Sequence, residues 1–198
     1  MQPAFVHLHV HTEYSLANGT VRIKPLVKSV AKAGMPAVAV TDQCNMFSMV
    51  KFYRAAMSAG VKPLVGVDVW VADGADSKPP DRLVLLCRTR QGYLNITRLV
   101  SRAYIEGQQR GIPVLQRDWL AGHTDGLIAL SGGRAGDVGK ALLSKKPELA
   151  VRLLEEWQQL FPDCYYLELQ RTGRPGEEEY LHAAVRLAVD HDVPVVAT

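Results

Sequence analysis

The stretch "TVRIKPLVKSVAKAGMPAVAVTD", residues 20–42, holds a helix pattern followed directly by a strand pattern, and it indicates the fold class. Apolar residues recur at helical spacing over residues 20–34, where basic residues separate them and Gly34 is suited to end the helix. Residues 35–42 form a short apolar run that ends in a carboxylate, Asp42. Such a run is typical of a buried parallel strand whose last residue faces a site. The stretch therefore predicts an amphipathic helix followed by a core strand.

The same alternation continues along the chain. Repeated strand–helix units are typical of a parallel sheet or of a barrel with helices outside, and sites in such folds lie at the carboxyl ends of strands. Because an apolar strand pattern runs to the last residue, we expect the chain to be the N-terminal part of a longer protein. The pattern predicts further strands over 62–71, 82–88, 125–131, 164–170 and 193–198, and further helices over 45–60, 89–107, 147–161 and 176–192.

The composition is that of a soluble globular domain, with 47% hydrophobic and 22% charged residues among 198. No linker divides it, so we expect one domain over residues 1–198. A net charge of +3 is too small to indicate nucleic-acid binding by itself. The three cysteines form no C-x-x-C pair, which excludes a zinc ribbon and fits a reducing compartment, the cytoplasm. The sequence has no signal peptide and no run of about 18 apolar residues, so it predicts no export and no membrane partner.

Three of the six histidines stand on alternate positions in "HLHVHTEY", residues 7–14. The stretch predicts the first strand of the sheet, in which alternate side chains share one face, so His7, His9 and His11 would line up together opposite an apolar face. Two imidazoles two residues apart on a strand can bind one cation. The alternative is a row of histidines hydrogen-bonded at a strand end. Three histidines in register favour a metal site, or the remains of one.

Acidic residues fall where such a site would need them. Asp42 ends the second predicted strand and Asp68 lies within the third. If His9, His11, Asp42 and Asp68 converge, they supply two nitrogen and two oxygen donors, a set suited to zinc or manganese. Each acid alone is weak support, because a strand-end aspartate also caps helices.

Several motifs in one order resemble a known family: "FVHLHVHTEYSLANG", "MPAVAVTDQCNM", "VKPLVGVDVWV", "GLIALSGGRAGDVG" and "YYLELQRTGRPGEEEYLHAAVRLA". They are similar to the N-terminal PHP (polymerase and histidinol phosphatase) domain of bacterial replicative DNA polymerase III alpha subunits, of the proteobacterial type. The resemblance covers the whole chain. It implies an α/β fold, a distorted seven-stranded β/α barrel that is incomplete at the C-terminus of this chain. In active members of the family, the cleft of this barrel holds up to three metal ions for phosphoester hydrolysis.

Some of the family's metal-ligand positions are matched in this chain, and others are not. His9 and His11 match the H-x-H ligand pair, Asp42 matches the acid of a T-D-H-G-N-like segment, and Asp68 stands where a glutamate is usual. The departures are neutral residues, which bind metal weakly at most. We therefore expect a vestigial site with at most one weakly bound zinc or manganese ion. Asn18 stands in place of an aspartate, and Gln43 and Thr172 each stand in place of a histidine.

Two functions follow from the resemblance. In the first, the chain is a non-catalytic part of a DNA-directed DNA polymerase in DNA replication, and it binds another replisome subunit, the proofreading exonuclease subunit. The polymerase reaction, its Mg²⁺ and its DNA then belong to the rest of the parent chain. In the second, the domain is an active divalent-metal phosphoesterase, with pyrophosphatase or 3′-5′ exonuclease activity. The residues at 18, 43 and 172 favour the first.

Overall fold

A computed structural model describes residues 5–74 and 79–198, which form two compact units that meet in sequence between Asp68 and Val69. The helices are α1 (Ile23–Lys32), α2 (Met49–Ser58), α3 (Arg90–Glu106), α4 (Asp137–Leu143), α5 (Pro147–Leu160) and α6 (Glu177–Asp190). The strands are β1 (Ala37–Val40), β2 (Lys62–Ala72), β3 (Asp81–Cys87), β4 (Gln108–Gln109), β5 (Ile112–Gln116), β6 (Leu127–Leu130), β7 (Tyr165–Leu169) and β8 (Val195–Ala197). Short 3₁₀ segments cover Glu13–Asn18, Arg117–Leu120 and Gly133–Ala135.

The first unit is built on the helix and strand that residues 20–42 predict. The apolar stripe of α1 faces inward through Ile23, Val27 and Val30, and it packs with Phe52 of α2 and with β1. All four residues of β1 are buried, which is why this strand is a continuous apolar run rather than an alternating one. It pairs in parallel with the first half of β2, from Ala37 opposite Lys62 to Val40 opposite Val65.

The strand expected at the histidine stretch is absent, and that prediction was wrong. Residues 5–11 are extended beside β1 but form no ladder. The carbonyls of His7 and Val10, three residues apart, accept from the N–H groups of Ala39 and Thr41, which are two apart. The Thr41 hydroxyl oxygen accepts a hydrogen bond from the Val10 N–H at 2.9 Å. One extra residue on one side therefore interrupts the regular pairing, as in a β-bulge.

The strands of the second unit form a mixed sheet rather than the all-parallel one expected from the strand–helix pattern. The second half of β2 pairs in parallel with β5, and β6–β7 and β7–β8 are also parallel. In contrast, β3 runs antiparallel to β6, and β4 antiparallel to β5. The strand order is β4-β5-β2-β3-β6-β7-β8, with β1 paired to β2. Among the described residues, β8 pairs with β7 alone, so the sheet is open, as the expectation of an incomplete barrel requires.

The β4–β5 hairpin was not predicted from the sequence. Its two-residue turn is Arg110-Gly111, and both residues have positive φ, +52° and +81°. A type I′ turn needs this conformation, which glycine adopts freely and arginine seldom does. The sequence signal of such turns is Asn-Gly or Asp-Gly, so Arg-Gly did not reveal it.

Arg117 organises the packing of the second unit. Its guanidinium lies over the Trp157 ring at 4.2 Å and forms ion pairs with Asp73 at 2.8 Å, with Glu156 at 3.0 Å and with Asp137. The indole N–H of Trp157 donates to the Asp137 carboxylate at 2.9 Å. Burial raises the pKa of Asp137 above its usual value, and the Arg117 cation opposes this rise. Arg117 and Asp137 therefore form a largely buried ion pair, and further polar partners contact both side chains.

Within the residues that the structure describes, none of the helices combines the length and the apolar character needed to cross a bilayer.

Candidate metal centre

Two of the three clustered histidines meet one carboxylate in the first unit. The Nε2 atom of His11 lies 2.8 Å from Oδ2 of Asp68, and Nε2 of His9 lies 3.2 Å from the same oxygen. The two imidazole rings are 5.3 Å apart between centroids. Asp68 is 1% exposed, whereas the two histidine side chains are 8% and 14% exposed. The carboxylate is thus fully buried, and each imidazole keeps only a small exposed fraction.

Backbone contacts explain how Asp68 reaches this position. It lies on β2, one residue beyond the buried Val67, and an isolated bridge joins it to Gln43. The Asp68 carbonyl accepts from the Cys44 N–H at 2.8 Å, and its own N–H donates to the Asp42 carbonyl at 3.2 Å. The loop after β1 therefore anchors the backbone of Asp68 on both sides.

His7 does not join the group. Its ring packs edge-on against Phe5, with centroids 4.9 Å apart. His9 and His11 still share one side, as their alternate positions predict, although the segment is not a strand.

The carboxylate of Asp42 is not part of the cluster, and it accepts several hydrogen bonds. Its buried carboxylate accepts from the Thr12 N–H at 2.6 Å and from the hydroxyls of Thr12, Ser15 and Ser48 at 2.8, 2.7 and 2.6 Å. These contacts join the end of β1 to the 3₁₀ segment and to the start of α2. Of the four ligand candidates in the sequence, the structure brings together His9, His11 and Asp68, and it places Asp42 in this network of hydroxyl groups.

The positions where the resemblance implies lost ligands are engaged in other contacts. The side-chain amide of Asn18 donates to the side-chain carbonyl of Gln43. Gln43 is the residue that bridges Asp68, so this neutral pair stands beside the cluster. Amide oxygens carry no charge and bind divalent ions more weakly than carboxylates do. This hydrogen-bonded amide pair therefore offers no anionic ligand beside the cluster.

Thr172 lies in the second unit and forms hydrogen bonds to the first residue of α6, Glu177. Its hydroxyl and its N–H both donate to the Glu177 carboxylate, and the N–H groups of Gly173 and Arg174 donate to the same group. The hydrogen bond from the Thr172 side chain, with these backbone donors, lowers the pKa of Glu177 to about 2, although burial opposes the shift. Thr172 is thus part of a helix-start loop.

Glu168 is a fully buried carboxylate on β7 that was not predicted from the sequence to belong to a site. Its Oε1 atom accepts from the Thr198 hydroxyl at 2.7 Å and from the Gln170 amide at 3.0 Å. The available signal was an acid inside the apolar run "YYLELQ", the same signal that marked Asp68. This network tethers β8 to β7.

The three clustered side chains fit one divalent ion. Their ligand atoms lie within 4.8 Å of one another. A tetrahedral zinc ion with bonds of about 2.1 Å separates its ligand atoms by about 3.4 Å. His9 Nε2 and His11 Nε2 lie 3.2 and 2.8 Å from Asp68 Oδ2, so an ion would replace two hydrogen bonds and move the ligand atoms slightly apart. Two imidazoles and a carboxylate leave a fourth position for water. Across residues 5–74 and 79–198, this is the one group of three or more His, Cys, Asp or Glu side chains at ligand distance.

Comparison with known sequences identifies the relatives of the chain. The subunit alpha of DNA polymerase III from Pseudomonas aeruginosa is 52% identical over 198 residues, which is 100% of this chain and 17% of that protein. The subunit from Escherichia coli K12 is 48% identical over 197 residues, again 100% of this chain and 17% of the relative. The Vibrio cholerae subunit is 45% identical over 196 residues. The chain therefore spans about one sixth of the length of these relatives.

Solved structures with similar folds share little sequence with the chain. An amidohydrolase from Chromobacterium violaceum, with bound sulfate and no metal, gives a TM-score of 0.58 at 16% identity, over 96% of this chain and 84% of that one. A protein from Bifidobacterium adolescentis, assigned as a metal-dependent phosphoesterase, gives a TM-score of 0.56 at 14% identity, over 97% and 85%. These likenesses support the α/β fold expected from the sequence.

A family model described as "PHP domain" matches residues 7–172, a range that contains the histidine cluster, Asp42, Asp68 and the three neutral replacements. This match covers most of the chain, and it agrees with the full-length similarity to proteobacterial polymerase subunits. The chain therefore belongs to the PHP domain family.

Proposed function

We propose that the chain acts in DNA replication as the PHP part of a polymerase III alpha subunit, and that it is a scaffold rather than a hydrolase. Identity of 45–52% to such subunits supports its place in a replicative polymerase. The rest of the parent protein then carries out DNA-directed DNA synthesis with Mg²⁺ and contacts the DNA. Its place of action is the cytoplasm.

The observation that carries the scaffold proposal is the amide pair of Asn18 and Gln43. Hydrolysis of a phosphoester needs a metal-activated water and a second positive centre for the charge that develops on the leaving oxygen. His9, His11 and Asp68 hold one ion at most, and the residues beside them are neutral and bonded to each other. A one-ion site of this kind lacks the second centre.

As a scaffold, the domain would serve as a docking surface for another replisome subunit, and we propose the proofreading exonuclease subunit. A domain that has lost its hydrolase site can remain in a replicative polymerase because it holds a separate nuclease close to the growing strand. Linking two proteins in this way raises the local concentration of one at the other without any new catalytic group.

The second candidate function is residual phosphoesterase activity on pyrophosphate or on DNA 3′ ends. The specific observation in its favour is the His9, His11 and Asp68 cluster, because three protein ligands with an open fourth position are the usual arrangement of a catalytic zinc ion. The two candidates differ in one measurable property, which is turnover that depends on these three side chains.

The experiment compares the chain with its His9→Ala/His11→Ala variant on pyrophosphate, p-nitrophenyl phosphate and 3′-labelled DNA, with added Mn²⁺ or Zn²⁺. A His123→Ala/His182→Ala variant controls for the loss of two histidines elsewhere. We expect equal background rates for all three proteins. Turnover that the first variant loses and the control keeps would show that the domain is an enzyme.

Metal content provides the second measurement. After dialysis against a mild chelator, we expect less than one ion per chain, and none in Asp68→Ala. The Asn18→Asp/Gln43→His variant should retain metal more strongly, because it restores an anionic and an imidazole ligand beside the cluster. Two or three ions retained by the unmodified chain would contradict the one-ion assignment.

A further inference from the structure

An open groove lies between α1 and α2 of the first unit, with a volume of about 790 Å³. Its floor is aliphatic, formed mainly by Val27, Ala31, Ala55 and Ala59. Each helix has 10 residues, which corresponds to about 15 Å or nearly three turns. The groove therefore runs beside nearly three turns of each helix, about the length of a short helix.

Large apolar side chains are left in solvent beside this floor. Phe47 is 73% exposed, Val50 54% and Met57 57%. Val50 and Met57 are seven positions apart on α2 and lie on one side of the helix, and Phe47 precedes α2 and lines the groove together with Val50. A cluster of exposed apolar side chains next to an apolar groove is characteristic of a protein-binding surface.

The rim of the groove is basic. Lys24 and Lys28 line it from α1, and Lys51 and Arg54 from α2. Lys51 lies 3.6 Å from Glu13, but among the described residues Lys24, Lys28 and Arg54 have no carboxylate within ion-pair distance. The only acid in residues 20–60 is the buried Asp42, whereas the bases there are Arg22, Lys24, Lys28, Lys32, Lys51 and Arg54. The rim therefore carries positive charge without exposed acids of this segment to neutralise it.

We propose that this groove docks an acidic amphipathic helix of a partner protein. An amphipathic helix places apolar residues at i, i+3, i+4 and i+7 into such a floor, and carboxylates on its flanks would meet the lysines and Arg54. A nucleic acid would engage the basic rim through its phosphates but would leave the aliphatic floor and Phe47 in water. The proposal rests on the docking role proposed above, and it adds the surface and the chemistry of the partner.

The test uses a labelled 14-residue peptide with leucines at i, i+3, i+4 and i+7 and glutamates at most other positions, titrated with the chain by fluorescence anisotropy. One control peptide has the same composition with the leucines scattered around the helix, and a second has lysines in place of the glutamates. We expect binding of the first peptide only.

Four variants locate the contact. Phe47→Ser and Lys28→Glu/Arg54→Glu should each weaken binding by about tenfold or more, as for central interface positions. Ile105→Ser and Arg98→Glu, on exposed positions of α3, are the matched controls and should bind as the unmodified chain does. The charge-reversed groove variant should gain affinity for the lysine peptide, which a merely unfolded protein would not.

Two results would overturn the proposal. In the first, the glutamate peptide does not bind, or binds all variants equally. In the second, a short DNA duplex binds the groove variants more weakly than the controls and also displaces the peptide, which assigns the surface to nucleic acid. Because the hydrolysis and metal measurements involve other residues, the groove proposal and the scaffold proposal can fail separately.

Discussion

Replacement of Asp42 by alanine should destabilise the chain by about 4 kcal/mol. The buried carboxylate accepts from one backbone N–H and three hydroxyl groups, all within 2.9 Å. Hydrogen bonds to a charged group contribute about 1.5–3 kcal/mol each, and a buried N–H left without an acceptor costs about 1–3 kcal/mol. Relief of the cost of burying the charge offsets part of this sum. Because the hydroxyls can rotate to new partners, we count about 2 kcal/mol for the Thr12 N–H and about 2 kcal/mol in total for the three hydroxyl bonds.

Asp42→Asn separates the charge from the shape of the side chain. It keeps one acceptor oxygen for the Thr12 N–H, so we expect a loss of about 2 kcal/mol. Urea unfolding followed by far-ultraviolet circular dichroism measures both variants, and zinc or manganese binding is measured on the folded asparagine variant. We expect its metal affinity to equal that of the unmodified chain. If Asp42→Asn abolishes metal binding and leaves stability unchanged, then Asp42 is a ligand and the reasoning is refuted.

Three further results are expected. Glu177 has a pKa of about 2 in the folded chain and an ordinary value of 4.5. Its contribution to stability is therefore complete above pH 4.5 and is lost as the pH falls towards 2. The thermal midpoint of Glu177→Gln, measured between pH 2 and pH 6, should lack this part of the acid dependence. Arg117→Met should cost about 3 kcal/mol in urea unfolding, because it leaves the Asp137 carboxylate buried without its cation, and a loss below 1 kcal/mol would contradict the buried-pair interpretation. Gly92→Ala should prevent soluble folding or shift the thermal midpoint strongly, since the new Cβ would lie 2.0 Å from the Gly126 carbonyl oxygen. Gly122→Ala is the comparison: its Cβ contacts nothing within 4 Å, so it should cost only the backbone strain at φ +75°, about 1 kcal/mol.

Periodicity revealed the regular elements because the direction of each side chain follows from the local backbone. The stripe of Ile23, Val27 and Val30 had to face a core, and the apolar run before Asp42 had to be buried on both faces. The same argument placed His9 and His11 on one side. It failed at residues 5–11, where one extra residue breaks the pairing with β1, since the number of residues facing each other across two segments is not a property of either segment alone.

The α/β class, most helices and strands, the family and two of the three clustered side chains follow from the sequence pattern and the resemblance. Which acid joins the two histidines depends on tertiary packing. Asp42 and Asp68 look alike in sequence, because each is an acid in or directly after an apolar strand. In the structure, the Asp42 carboxylate accepts hydrogen bonds from the hydroxyl groups at positions 12, 15 and 48, whereas Asp68 contacts His9 and His11. A carboxylate binds the donors that surround it in space, and these come from segments up to 59 residues away, a distance at which sequence spacing carries no information.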